Sequence, residues 1–189
     1  MIEKISDTGI EEKSQKLKGR HLLFGVCGSI GAVDAVRQIR ELRRHGAEVT
    51  TLITEEGGRF ITPLSLEWAS QKPVLSALGP LSEHLGDYSG MVICPATWNS
   101  LVGLSLGRAS NSLLTAGAIQ IARKNPVLIV PTLNEEFTHH PLYGETMSRL
   151  ESFPGVRILL GSIDESRHKM PSPEILAEKV IAQFNLFSN

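Results

Sequence analysis

Two apolar runs in this chain end in prolyl turns that carry an asparagine. Met91-Val92-Ile93-Cys94 leads into Pro95-Ala96-Thr97-Trp98-Asn99-Ser100, and Val127-Leu128-Ile129-Val130 leads into Pro131-Thr132-Leu133-Asn134. A short apolar run suits a strand buried on both faces of a parallel sheet, and open sheets of that kind bind ligands beyond the carboxyl ends of their strands. An Asn amide both donates and accepts hydrogen bonds, and each turn adds backbone N–H groups. Turns so equipped suit a planar ligand with a polar edge.

A third turn, Gly28-Ser29-Ile30-Gly31, follows the run from His21 to Cys27 and opens a helical pattern. Free N–H groups at such a strand-to-helix junction favour an anion, phosphate above all. Gly25, Gly28 and Gly31 are spaced by three and miss the dinucleotide fingerprint, so FMN or another monophosphate is expected before a nicotinamide dinucleotide. The same glycines also serve a tight turn with no ligand at all. Thr54, at the end of the next strand, could add a hydroxyl to that phosphate or be structural. Phe60, in a polar turn, reads either as a lid over an aromatic ring or as an anchor for its loop. His139-His140 lacks a third ligand at metal-binding spacing, so no metal is expected.

The elements that must position these turns alternate along the chain. A strand from His21 is followed by a helix to about His45, whose apolar positions Ala32, Ala35, Val36, Ile39 and Leu42 are spaced by three and four, with Gly46 after it. A strand over 47–54 precedes a helix over 63–70, announced by Thr62 as cap and Pro63 in the first position. Loop is expected over 72–90. Helices are expected around 100–106, 112–123 and 141–152, a strand over 156–160, and a last helix opened by Ser172-Pro173. Such alternation specifies a doubly wound parallel sheet, three-layer α/β/α, in one domain over 19–189, with a charged arm over 1–18.

Composition narrows the function. A formal net charge of −1 over 189 residues gives no electrostatic footprint for nucleic acid or anionic membrane. No apolar run reaches bilayer length and the N-terminus does not read as a signal peptide, so a cytoplasmic protein acting on a small molecule is expected. Cys27 and Cys94 read as buried, reduced thiols.

From Leu22 to Val180 the sequence resembles the flavin-containing cysteine decarboxylase family, which has a Rossmann-like flavoprotein fold. The resemblance is carried in order by Gly28-Ser29-Ile30, Gly46-Ala47-Glu48-Val49, Thr54-Glu55 with Arg59-Phe60-Ile61-Thr62-Pro63-Leu64, Pro95-Ala96-Thr97-Trp98-Asn99-Ser100, Ser112-Leu113-Leu114-Thr115 and Pro131-Thr132-Leu133-Asn134. It implies FMN with its phosphate at Gly28, Ser29, Ile30 and Thr54, Phe60 against the flavin, and Pro95, Ala96, Thr97, Asn99 and Ser112 along the ring. It further implies oxidation of a cysteine thiol to a thioaldehyde, which loses CO₂ to leave an enethiolate. In the coenzyme A branch the substrate is 4′-phosphopantothenoylcysteine, and return of the electrons gives 4′-phosphopantetheine.

By the same resemblance Asn134, with Leu133, holds the substrate carboxylate, and His84 of Glu83-His84 is the acid/base, the alternative being a surface-loop His. The segment Asp164 to Met170 lacks the cysteine that many members carry there and is similar to the basic loop of archaeal members. That implies Arg167 and Lys169 at the phosphate of a phosphorylated cysteinyl substrate and His168 as proton donor; without the resemblance it is a solvated loop. A homotrimer, or a multiple of trimers, is implied as well. The rival readings are a flavin reductase or electron carrier, a peptidyl-cysteine decarboxylase, and a regulatory relative acting through a protein partner.

Overall fold

Five of the apolar or β-branched runs become the strands of one parallel sheet: β1 (His21–Val26), β2 (Glu48–Ile53), β3 (Gly90–Ala96), β4 (Val127–Pro131) and β5 (Val156–Ile158). The structure is a computed structural model that describes residues 9–76, 86–164 and 167–186. The strand order is β2-β1-β3-β4-β5. Every pairing is parallel, with Leu22 opposite both Val49 and Gly90, and Val92 opposite Leu128. Both faces of such a sheet must be covered, which is why these strands read as unbroken apolar runs.

Strand side chains alternate between faces, and two cores result. Leu22, Phe24, Val26, Val92 and Val130 pack on one face with residues of α1 (Ala35–Arg44), α2 (Pro63–Ser70) and α6 (Pro173–Leu186). Leu23, Met91, Ile93 and Ile129 pack on the other with residues of α3 (Trp98–Ser105), α4 (Ser112–Ala122) and α5 (Tyr143–Ser152). The doubly wound, three-layer arrangement expected from the alternation is the one observed.

The caps follow the sequence. Thr62 Oγ1 accepts from Ser65 N at 3.4 Å ahead of Pro63, and Ser172 Oγ accepts from Ile175 N at 3.3 Å. Gly46 ends the helical turn at φ +91°, a conformation that costs other residues strain.

Three details differ from expectation. The helix after β1 begins as a 3-10 turn, Ile30–Asp34, because Ser29 accepts from Gly31 N and tightens the entry. Part of the expected arm is docked. Lys13 N and Leu17 N donate to the carbonyls of Arg44 and His45, both at 2.8 Å, which the end of α1 leaves without helical partners, and Leu17 is fully buried. The loop before α6 holds an antiparallel pair, β6 (Ile163–Asp164) and β7 (Arg167–His168), too short to leave a periodic signal in sequence. Among the described residues no helix is long and apolar enough to cross a membrane.

Candidate functional site

All the strands are parallel, so β1, β2, β3 and β4 present their carboxyl ends at one edge, and the order reverses between β1 and β3. A crevice opens at such a reversal because the two flanking connections leave for opposite faces. Here it is a cleft of about 620 Å³ built from the turns after all four strands. That volume is in the range of small-molecule and cofactor sites, roughly 300–1,000 Å³.

The polar floor of the cleft is cross-braced. Ser29 Oγ, after β1, lies 2.7 Å from Thr132 Oγ1, after β4. Ser100 Oγ lies 3.1 Å from both Thr97 Oγ1 and Cys27 Sγ. Burial pushes the Cys27 thiol up to about 11, against the smaller opposing effects of hydrogen bonds from Ser100 and the Thr97 backbone. Cys27 is therefore a thiol at neutral pH, as its sequence position implied. Thr54 Oγ1 accepts from Gly57 N at 3.1 Å and donates to Val26 O at 3.3 Å, closing the turn after β2. That turn presses on the first one: a Cβ at Gly28 would lie 2.4 Å from Glu56 Cβ. Glycine at 28 is thus required by the close approach of two site turns.

One wall is aromatic. Trp98, in the first turn of α3, stacks on Phe137 with centroids 5.7 Å apart and planes at 29°, and Tyr143 lies on a nearly parallel plane at 6.3 Å. His140 completes the group at 5.4 Å from Trp98. Opposite in character are two amides. Asn134 Oδ1 accepts from Glu136 N at 3.4 Å, capping the 3-10 turn Glu135–His139; among the described residues its NH₂ has no partner. Asn99 is exposed at the mouth. The set offers an aromatic surface, amide donors and hydroxyls, which fits a planar heteroaromatic group with polar edges. Among the described residues no group of three or more His, Cys, Asp or Glu side chains is placed to hold a metal ion.

Of the residues singled out from sequence, Gly28, Ser29, Thr54, Thr97, Asn99, Leu133 and Asn134 line this one cleft. Pro95 and Ala96 are buried within β3; their carbonyls accept from Cys27 N at 3.2 Å and Thr132 N at 3.0 Å, joining the strands beneath the cleft. Ile30 and Phe60 are not among the lining residues and are 60% and 43% exposed. Ser112 opens α4 beside Asn111, which does line the cleft. Arg167 and His168 form β7, and Lys169 N donates to Ser162 O at 2.9 Å. The chain then joins the core on the α1 face of the sheet: Met170 Sδ lies 3.8 Å from Cys94 Sγ, and Pro171 O accepts from Gln38 Nε2 at 2.8 Å. His84 lies outside the described residues. Trp98, Phe137, Glu56, Thr132 and Asn111 also line the cleft and were not singled out as site residues. Phe137 stands three residues after Asn134, and its spacing from that asparagine was the available signal.

A model of the family described as Flavoprotein matches residues 10–185, nearly the whole chain. The chain belongs to the Flavoprotein family. Among curated relatives of this Flavoprotein chain, the coenzyme A biosynthesis bifunctional protein CoaBC of Thermococcus kodakarensis is 29% identical over 180 residues, covering 92% of this chain and 44% of the relative. That of Escherichia coli K12 is 35% identical over 128 residues, covering 64% and 31%. The chain thus spans less than half the length of either. Among solved structures, the FMN-dependent cysteine decarboxylase SpaF superposes with a TM-score of 0.76 at 24% identity, over 88% of this chain and 98% of that one. A PPC decarboxylase mutant complexed with pantothenoylaminoethenethiol superposes with a TM-score of 0.73 at 17% identity, over 89% and 100%. At those identities the likeness is one of fold.

Proposed function

We propose that this Flavoprotein chain is an FMN-dependent decarboxylase that acts on the carboxylate of a cysteinyl compound, 4′-phosphopantothenoylcysteine, and yields 4′-phosphopantetheine. The observation that carries the reading is the cleft itself: Trp98, Phe137 and Asn134 line together a volume suited to a planar cofactor and a small substrate. The CoaBC relatives and the PPC decarboxylase neighbour supply the substrate class.

Thr97, Asn99 and Ser29 would hold the flavin's polar edge, with Trp98 against a ring face. When bound, the flavin would supply a two-electron oxidant for the substrate thiol and would return both electrons after CO₂ has left, so that the overall conversion is redox-neutral. The chain's own part is binding and orientation. The Asn134 NH₂ donates to the substrate carboxylate and turns its C–C bond toward the apolar side of the cleft. Leu133, Trp98 and Phe137 exclude water there, which favours loss of a carboxylate as neutral CO₂. His84 and His168 are the proposed proton carriers, and Arg167 and Lys169 are proposed to meet the substrate's far end. The proposed assembly is a homotrimer.

Anaerobic incubation of the purified protein with 4′-phosphopantothenoylcysteine tests this. Release of CO₂ with appearance of 4′-phosphopantetheine is expected. Decarboxylation that stops at the oxidised enethiol would leave a cysteine decarboxylase outside coenzyme A synthesis, and absence of CO₂ from this substrate and from cysteine-ended peptides would overturn the decarboxylase reading.

A further inference from the structure

Three side chains on the floor of the cleft form a hydrogen-bonded row: Cys27 Sγ lies 3.1 Å from Ser100 Oγ, which lies 3.1 Å from Thr97 Oγ1. All three line the cleft, and the row runs from its buried end outward: Cys27 is 1% exposed, Ser100 7%, and Thr97 is half-buried. Thr97 stands at the N-cap of α3, where a threonine hydroxyl ordinarily accepts from a backbone N–H of the first turn. It makes no such cap here, and among the described residues the one partner of its hydroxyl is Ser100. The Thr97 backbone N–H meets the Cys27 sulfur, so the turn after β3 closes on both ends of the row.

The thiol and the two hydroxyls carry one hydrogen each, and burial keeps that of Cys27 in place at neutral pH. The three hydrogens can run in either of two senses. When S–H donates to Ser100 Oγ, the Ser100 hydrogen passes to Thr97 Oγ1, and the Thr97 hydrogen turns out into the cleft, where water or a ligand accepts it. In the opposite sense Thr97 donates to Ser100 and Ser100 to the sulfur, which leaves a buried S–H with no acceptor among the described residues. A buried donor without an acceptor costs free energy, less for a thiol than for a hydroxyl, so the first sense is favoured. At Thr97 the cleft therefore meets its ligand with a hydrogen and not with a lone pair.

We propose that Cys27 is a positioning residue: its S–H, relayed by Ser100, fixes the Thr97 hydroxyl as a donor toward flavin N5, the edge atom that accepts when the ring is oxidised and donates when it is reduced. The inference rests on the flavin of the function proposed above. Two-electron reduction places a hydrogen on N5, and to face it the row must reverse and strand the S–H. The row is thus matched to the oxidised ring and mismatched to the reduced one. Of the two halves of the proposed conversion the mismatch favours the second, in which the N5 hydrogen and both electrons pass to the decarboxylated product and a proton carrier supplies the other hydrogen.

The test uses the FMN-loaded protein and needs no turnover. Infrared spectra read the S–H stretching band, and the band that Cys27→Ala removes belongs to Cys27. In the oxidised protein it is expected at the lowered frequency of a bonded thiol, and it should rise in Ser100→Ala and on reduction of the flavin. A band already at the free frequency in oxidised wild type, or one that neither change moves, overturns the proposal. The midpoint potential of the bound flavin gives the ratio of affinities for its two redox forms. Cys27→Ala is expected to move that ratio toward reduced FMN by about twofold to fivefold, a rise of about 10–20 mV. Ser100→Ala should shift it in the same sense, the double variant should go no further than the larger single one, and Cys27→Ser, which puts a donor back, should keep the wild-type ratio. An unchanged or lowered potential in Cys27→Ala, additive shifts in the double variant, or an equal rise in Cys27→Ser overturns the positioning role. Failure of wild type to release CO₂ overturns the proposed function separately, and the band and the potential still decide on Cys27; a wild type that binds no FMN overturns both.

Discussion

Substituting Gly28 by Ala tests whether the two turns that flank the cleft are held in the observed contact. The new Cβ would meet Glu56 Cβ at 2.4 Å, and the carbonyl carbon and oxygen of Glu56 at 2.9 Å and 3.0 Å. Carbon atoms settle at about 3.5–4.0 Å, so the turns must separate by about 1 Å. Two of the three obstructing atoms are backbone, and rotation of a side chain cannot clear them. Overpacking of this kind costs about 1–3 kcal/mol. For a chain of this size that lowers Tm by about 2–12 °C, at about 2–4 °C per kcal/mol. Gly58→Ala is the internal control, because its Cβ would meet nothing within 4 Å; its stability should change by no more than about 0.5 kcal/mol. Adding Glu56→Gly to Gly28→Ala removes the nearest obstructing atom and should recover part of the loss. Thermal unfolding measures the stability of all four proteins, and flavin titration reads the shape of the cleft. If Gly28→Ala melts with the Gly58→Ala control and binds flavin as wild type does, the contact between the turns is not what sets the site.

Four further outcomes are expected. Asn134→Asp keeps an oxygen for Glu136 N but replaces the NH₂ donor with a negative charge; kcat/KM on the cysteinyl substrate should fall by at least about a hundredfold while flavin content is retained. Trp98→Ala removes the centre of the aromatic group and should weaken flavin binding by about 0.5–1.5 kcal/mol beyond the lost contact area, read by fluorescence titration. Burial raises the Glu41 carboxyl, but hydrogen bonds and charge from Lys13 and Arg44 outweigh it and hold the group below its ordinary range. A depressed carboxyl stabilises the fold above its unfolded pKa, and that stabilisation disappears as pH falls through the folded value, so Glu41→Gln should flatten the acid limb of a urea-midpoint profile. Finally, both thiols are buried and pushed above their ordinary range. Iodoacetamide at pH 8 should label neither until the protein is unfolded, as peptide mass spectrometry would read.

The layers of this fold were legible because parallel strands buried on both faces leave unbroken apolar runs, and because Thr62-Pro63 and Ser172-Pro173 mark helix starts by a local mechanism. The turns after β1, β2, β3 and β4 were legible for the same reason: each follows such a run. What the turns do with their atoms was not. That Pro95 and Ala96 lie within a strand and that Ser29 braces Thr132 depend on register between strands far apart in sequence. The partnership of Trp98 with Phe137 crosses from the turn after β3 to the turn after β4, so no local pattern announces it. The β6–β7 pair is too short for periodicity to register. The docking of residues 13–17 on the end of α1 answers orphan carbonyls, a need that appears only once α1 has formed.

Ser29 and Thr132, which brace the cleft, are 103 residues apart in the chain. A ligand that touches the turns on both sides of that brace has a binding surface only in the assembled sheet, and none in the unfolded chain. Its free energy of binding therefore adds to the stability of the whole molecule, by about 2.7 kcal/mol at a free concentration one hundred times its Kd. For a flavin in this cleft, the vitamin status of the cell would set how often the chain opens to proteases, and a shortage would be felt first as a fall in the amount of the protein.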